Sequence, residues 1–480
     1  MTKNIFLCHG DITLFREILT EISLKEKNIL FKGMFSTGDK DLPSVNKTDS
    51  FTLYDFINGK KKYYTNNNLT PDEINYFRKE CFYGFISQSD RLSINSIPAT
   101  KKIKLFDQFI SYFLEYFKNN KITHVVFHTT PHLAFDFILF HIAHFLKLEK
   151  IIFFRTYYED MTLISKDYRK NNFMPLVNQQ QELKIEIMKK NISAWGKLGK
   201  SINKASTRSN NFTGIINFFI ILLKKLKYTF INKELQSYNL LNTKNNIFSF
   251  IYIHFYHLFH TYSLKKKYLQ ICKKIDYSTD YVFFAMHNQP EKTTSPEGQE
   301  FDNQINAIKL LRKIINKNIK IYVKEHPKQL SPFTGDVRQI NSRSIDDYLM
   351  IDNLENCELL DISIDTSEII KSAKINFTIS GTLAWQSLLN NVPTMTFSNT
   401  WHSNCRSSPI IKDDISQVID QVNELLQKKK EDVVSDLKLF QENISNKLFF
   451  TSISEFEIKK SSNKEGVLKD NLYKAFISII

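Results

Sequence analysis

Apolar positions in the first 160 residues follow two alternating periods. Residues 4–8 (NIFLC) form a short apolar run closed by His9 and Gly10, and from Ile12 to Ile22 the apolar positions recur at helical spacing. The motif returns with a strand at 122–127 (ITHVVF), a loop from His128 to His132, a helix over 133–147 and a strand at 151–154 (IIFF). Strand, helix, strand in that order predicts a parallel α/β sheet, because joining parallel neighbours takes a crossover. From about residue 160 to 275 the alternation stops, and Lys- and Asn-rich helical stretches carry aromatic-rich runs at 212–231 and 247–259. It resumes with strands at 281–286, 319–323, 374–379 and 393–397 and helices at 302–316 and 382–391. The expected organisation is a Rossmann-like doubly wound domain over 1–160, a helical insertion or linker over 161–275, and a second doubly wound domain over 276–480.

The length of 480 residues suits this division, since a single domain averages ~150. A hydrophobic fraction of 42% and a charged fraction of 24% exclude a chain that is disordered overall. Lys and Arg total 65 against 50 Asp and Glu, a net charge of +15. That balance suits a nucleic acid, an anionic membrane face or a phosphate-bearing substrate. The basic residues are dispersed and no nucleic-acid-binding motif is present, so nucleic acid is not an expected partner. Part of the Lys excess, which comes with many Asn and Ile, fits the codon bias of an A/T-rich genome. Five separated cysteines without a CxxC pair argue against a disulfide framework or a zinc site and for a reducing, cytoplasmic setting. The first apolar run is too short for the core of a signal peptide. In the run at 212–231, Lys224 and Lys225 interrupt the apolar sequence well before the ~20 residues that a bilayer crossing takes. Neither aromatic run is expected to span. A basic helix with an apolar face can instead lie peripherally on the inner face of the cytoplasmic membrane, and an ordinary buried helix is the alternative.

Ligands of open α/β sheets bind beyond the carboxyl ends of the strands, so the residues after each strand carry the candidate chemistry. After the strand at 281–286 come His287, Gln289, Pro290, Glu291 and Glu297; after 319–323 come Lys324, Glu325, His326, Pro327 and Lys328; after 374–379 come Ser380, Gly381 and Thr382. Ser380-Gly381-Thr382 opens a helix whose free N–H groups and positive dipole end make a phosphate cradle, with Gly381 allowing close approach. A Ser or Thr there is also an ordinary N-cap. Pro327 holds His326 extended, so that its imidazole can contact a phosphate or assist a leaving group, and Lys324 adds charge. Glu291 is placed to deprotonate an acceptor or to stabilise a cationic sugar. In the first domain, His9 follows strand one, His128 and His132 follow the strand at 122–127, and Asp136 lies one turn into the next helix. Asp90, beside Arg91, is a further candidate acid.

QPE at 289–291, KEHP at 324–327 and SGT at 380–382, with Trp385 in the following helix, resemble bacterial capsule and lipopolysaccharide glycosyltransferases, particularly the Kdo-transferring group. The likeness is clearest over 280–402. It implies a GT-B fold with two Rossmann-like domains facing a cleft, and transfer of Kdo or another nonulosonic acid from a CMP-activated donor to a glycan or lipid-linked acceptor. His326 and Pro327 would then contact the nucleotide, Ser380 and Thr382 its phosphate, and Glu291 the reacting sugar, with His9, His128 and His132 on the acceptor side. The family pattern has an acid after the aromatic residue of that helix; this chain has Gln386, and Glu368 is the candidate substitute for the ribose contact. Neither metal nor cofactor is implied. A CDP-polyol phosphotransferase of teichoic-acid-like synthesis and a UDP-sugar 2-epimerase are the alternatives.

Overall fold

The structure is a computed structural model that describes residues 2–10, 12–36, 48–57, 69–89, 91, 98–175, 211–227, 247–333, 336–411, 414–453, 458, 461 and 465–480. Its twelve described strands are β1 (Lys3–Cys8), β2 (Ile29–Ser36), β3 (Asp49–Thr52), β4 (His124–Phe127), β5 (Glu149–Arg155), β6 (Met161–Ser165), β7 (Tyr281–Ala285), β8 (Lys320–Lys324), β9 (Cys357–Leu359), β10 (Asn376–Thr378), β11 (Thr394–Thr396) and β12 (Phe449–Phe450). They form a seven-stranded sheet in the order β12-β6-β5-β4-β1-β2-β3 and a five-stranded sheet in the order β11-β10-β7-β8-β9.

In the first sheet β3, β2, β1, β4 and β5 are parallel, whereas β6 and β12 add antiparallel edges. Both faces are covered, which is why the strands read as continuous apolar runs. Along β1, Ile5 and Leu7 join one core cluster with Leu14, Phe15, Ile18, Leu19 and Ile22 of helix Thr13–Lys25. Phe6 and Cys8 join the other, packed with helices Ala99–Asn119 and Phe135–Phe145. The second sheet is parallel throughout. Val282 and Phe284 of β7 point into a core with Ile305, Ile308 and Leu311 of helix Gln304–Ile314, while Tyr281 and Phe283 point to the opposite face.

Each sheet therefore has the doubly wound order in which the chain runs outward from its first strand and then returns to build the other side. The reversal falls between β1 and β4 in the first sheet and between β7 and β10 in the second. The α/β class and both parallel cores agree with the periodicity. The boundaries differ from the expected 1–160, 161–275 and 276–480. One compact unit comprises residues 1–191, 227–245 and 445–480, and the other comprises 192–226 and 246–444. Two packing facts account for the difference. β6, inside the expected insertion, pairs with β5 from Ile152↔Ser165 to Arg155↔Thr162. Helix Glu465–Ile479 buries Leu468, Leu472 and Phe476 in the core of the first sheet, beside helix Thr13–Lys25. Helices Asn211–Leu226 and Ile247–Ile271 belong to the second unit, and no helix among the described residues is long and apolar enough to cross a membrane.

Phe476 is fully buried, 5.5 Å from the ring of Phe15 and 5.2 Å from that of Phe153. Phe476→Ala should therefore lower the stability of the first unit by about 3–5 kcal/mol in urea unfolding. A change below the error of the measurement would show that the C-terminal helix is not part of that core.

Candidate functional site

The two chain reversals place candidate groups at the ends of both sheets. In the first unit, β1 ends at Cys8 and the backbone of His9 turns left-handed, with φ 66°. That region costs a residue bearing a β-carbon roughly 1–2 kcal/mol. The turn is held by hydrogen bonds from Gly10 N–H to the Phe35 carbonyl (2.8 Å) and from Ile12 N–H to the His9 carbonyl (3.0 Å). It directs the buried His9 ring at Asp136, with Nε2 2.8 Å from Oδ2. Asp136 also accepts from the backbone N–H groups of His132 (2.9 Å) and Leu133 (2.7 Å). Burial alone would raise its pKa, but the hydrogen bond and charge of His9, with contributions from His132, hold it below the ordinary carboxylate value. Asp136 is thus a fixed acceptor, to which His9 donates through Nε2–H.

The other first-unit candidates gather around this pair. His128 packs edge-on to His9 at 4.4 Å between centroids, and His132 stacks at 6.4 Å. His132 Nδ1 lies 2.8 Å from the Thr130 carbonyl, and Arg91 donates to the His132 carbonyl at 3.0 Å. Asp90 lies outside the described residues.

In the second unit, the residues after β10, β7 and β8 stand side by side, in the order of those strands in the sheet. His287, after β7, is half-buried and packs against the Ser-Gly-Thr turn that follows β10. Its Nε2 lies 2.8 Å from Thr378 Oγ1 and 3.4 Å from the Ser380 N–H donor. A β-carbon on Gly381 would sit 2.4 Å from His287 Cε1, while the φ of Gly381 is an unremarkable −78°. Glycine is therefore required by the imidazole behind it, a reason additional to the expected approach of a phosphate. The Ser380 hydroxyl donates to the Thr293 carbonyl (3.0 Å) and to Glu297 (3.2 Å), and so straps the 291–298 segment to the turn. Helix Thr382–Leu389 starts without a side-chain cap, and Thr382 at its first position is exposed.

His326, after β8, is half-buried, and its Nδ1 accepts from Lys328 N–H at 3.2 Å. Burial, helped by the charges of Lys328 and Lys324, brings its pKa down to about 4. The ring is neutral at pH 7 and presents Nε2–H, which makes it a hydrogen-bond donor and not a standing acid. Lys324 turns away: its ammonium donates to the Ile364 carbonyl and to Thr366 Oγ1 (2.8 Å), and burial pulls its pKa down to about 8. Glu368 sits exposed on helix Thr366–Ser372 and pairs with Lys371 at 3.5 Å. Glu291 accepts from Asn288 Nδ2 at 3.0 Å, and Asn288 in turn accepts from Gln339 at 2.7 Å. Among the described residues no group of three or more His, Cys, Asp or Glu is arranged to hold a metal ion.

A buried ion pair underlies these strand ends. Glu325 accepts from Arg343 Nε (2.8 Å), Tyr348 (2.9 Å) and the His326 N–H (2.7 Å), while Arg343 also bonds to the Gln289 side chain and the His287 carbonyl. Arg343 gives no sequence signal, since it stands between two serines ahead of a helix with a capping box. Asp136 was visible as a helix-start acid, but its pairing with His9 was not.

No protein-family model matches the chain, and no curated protein matches it in sequence. Solved structures similar to it include the UDP-GlcNAc 2-epimerase from Methanocaldococcus jannaschii, at 13% identity and TM-score 0.26, covering 92% of this chain and 100% of that one. They also include KpsC from Thermosulfurimonas dismutans, a beta Kdo 2,7 transferase, at 8% identity and TM-score 0.29, covering 79% and 90%. A trehalose-6-phosphate synthase is similar at 10% identity and TM-score 0.31, covering 98% and 99%.

Burial brings the pKa of His254, His257 and His326 down to about 4 and that of His141, His287 and His402 to about 3. The unfolded chain protonates its histidines near 6.5, so between pH 6.5 and 4 it binds more protons than the fold. Stability should be complete above pH 6.5 and fall as the pH drops towards 4, by up to about 1.4 kcal/mol per pH unit for each such ring. Urea midpoints that stay level from pH 7.5 to 5 would refute these neutral imidazoles.

Proposed function

We propose that this chain is a nucleotide-sugar-dependent glycosyltransferase of GT-B organisation that acts in surface polysaccharide synthesis, with the second unit binding the donor and the first activating the acceptor. The observation that carries the reading is the His9–Asp136 pair at the chain reversal of the first sheet, a buried carboxylate that orients an imidazole. The His9 imidazole, held by Asp136, takes the proton of an acceptor hydroxyl. Asp136 stabilises the imidazolium that forms, and the acceptor oxygen bonds to the anomeric carbon as its bond to the donor phosphate breaks.

The donor half rests on groups that recognise a phosphate without a cation. The Nε2–H of His326 and the uncapped N-terminus of helix Thr382–Leu389, with the Thr382 hydroxyl, supply donors and a positive dipole end. Pro327 fixes the backbone of His326, Gly381 and Ser380 shape the turn, and Glu291 is the carboxylate assigned to the reacting sugar. Lys324 and Glu368 are left out, because their polar ends are committed elsewhere. The favoured donor is a CMP-activated acidic sugar, Kdo or another nonulosonic acid, and the acceptor a glycan or lipid-linked glycan. The sequence motifs and the net charge of +15 support that choice.

A thermal-shift panel of CMP, CDP, UDP and GDP should give a selective response to CMP, since a ligand at 100 times its Kd adds about 2.7 kcal/mol to the folded state. The response should be lost in His326→Ala. Preference for CDP would favour polyol-phosphate transfer, preference for UDP a 2-epimerase, and no response to any of them would remove the enzyme reading.

In a transfer assay, His9→Ala and Asp136→Asn should each lower kcat by roughly 10²–10⁴-fold, with nucleotide binding unchanged. Normal turnover in both variants would sink the assignment of the base.

A further inference from the structure

Two helices of the second unit carry their apolar residues outward. In helix Asn211–Leu226, Ile216, Phe219, Ile220 and Leu223 are exposed, at spacings of three and four residues that place them on one face. In helix Ile247–Ile271 the exposed stripe is Phe248, Tyr252, Tyr256, Phe259 and Tyr262, again on one face, with Phe259 and Tyr252 each 67% exposed. These stripes are not the inner faces of the helices. Phe218 and Leu222 are buried on the first helix, and Phe250, His254, His257, Leu264 and Tyr268 on the second. The helices touch each other through Phe255, whose ring lies 5.6 Å from Phe218 and 6.2 Å from Phe219, so the outward stripes belong to one surface.

The charge of this surface selects its partner. Neither helix contains an Asp or Glu, whereas Lys224 ends the first stripe and Lys266 and Lys267 continue the second, all three exposed. Tyrosine and phenylalanine flanked by lysine match the headgroup layer of an anionic leaflet, where aromatic rings sit at the boundary and ammonium groups meet lipid phosphates. No helix among the described residues is long and apolar enough to cross a bilayer, so the surface would lie on the membrane and not through it.

We infer that the outer face of helices Asn211–Leu226 and Ile247–Ile271 docks the second unit onto an anionic lipid bilayer. The docking element is tied directly to the candidate site. Tyr268, on its inner face, donates to the Leu360 carbonyl at 2.6 Å and accepts from Glu325 N–H at 3.4 Å, one residue before His326. A docked helix is thus bonded directly to the end of β8, on the donor side of the candidate site. The docking itself depends on neither the donor nor the reaction.

Co-sedimentation of the full chain with vesicles tests this. The protein should pellet with phosphatidylcholine vesicles containing phosphatidylglycerol, bind phosphatidylcholine alone weakly, and be released by salt. The variant Leu223→Ser/Tyr252→Ser/Phe259→Ser should lose vesicle binding while keeping its circular dichroism and its thermal-shift response to nucleotide, because all three residues are exposed. Neutralising Lys224, Lys266 and Lys267 to Gln should weaken partitioning about fivefold per lysine. Wild-type protein that stays in the supernatant with anionic vesicles, or pellets no better than the apolar triple variant, overturns the inference. So does a wild-type dimer that the triple variant converts to monomer without any vesicle binding, which would make a second copy of the chain the occupant. Because nucleotide response is read separately, failure of docking and failure of the enzymatic reading are distinguishable.

Discussion

Glu325 lies fully buried at the end of β8, and the arrangement of the second unit's strand ends depends on its pairing with Arg343. A buried carboxylate is tolerated only when its charge is matched and its lone pairs are filled. Here Arg343, Tyr348 and the His326 N–H do this together. The consequence reaches three strands, because Arg343 also grips the Gln289 side chain and the His287 carbonyl after β7, and His287 in turn sets the Ser380-Gly381 turn after β10. Removing one partner of such a pair typically costs 3–5 kcal/mol, far more than an exposed ion pair such as Lys371–Glu368 contributes. The groups facing a ligand can therefore be half-exposed and still hold their positions.

The first unit meets the same requirement with a carboxylate and an imidazole. Asp136 takes the backbone N–H groups of His132 and Leu133, just ahead of its own helix, and the His9 side chain across the sheet, so one acid fixes the loop that enters the helix and orients a ring. The left-handed backbone of His9 is the cost of aiming that ring, a kind of strain that concentrates at functional sites. In both units one ring nitrogen is committed to a fixed partner, Asp136 for His9 and the Lys328 N–H for His326, and in the neutral His326 ring this leaves Nε2–H as a donor.

The second unit also departs from the usual division of residues in which the inner face of a helix is apolar and the outer face polar. Helix Ile247–Ile271 has aromatic residues on both faces, with the histidines His254 and His257 turned inward. A sequence of this kind shows weak periodicity, and whether such a run is buried or exposed depends on what packs against it.

The sequence by itself determined the α/β class, the two parallel cores and the strand ends that carry His9, His128, His326 and the Ser380–Thr382 turn, because these follow from local periodicity and from where strands must stop. It also marked Glu291 and the basic, aromatic character of the two helices. Only the tertiary structure decided which polar groups meet. His9 and Asp136 are 127 positions apart, and Arg343 reaches Gln289 across 54, distances over which no local pattern carries information. The same holds for Lys324, whose motif suggested a phosphate contact but whose position in the pleat sends it to Ile364 and Thr366. It holds for the C-terminal helix, which returns to the first sheet because its buried residues complete the core beside Phe15 and Phe153. Spacing tells how side chains are distributed around an element, whereas the face that is covered is set by neighbours that the chain brings in from elsewhere.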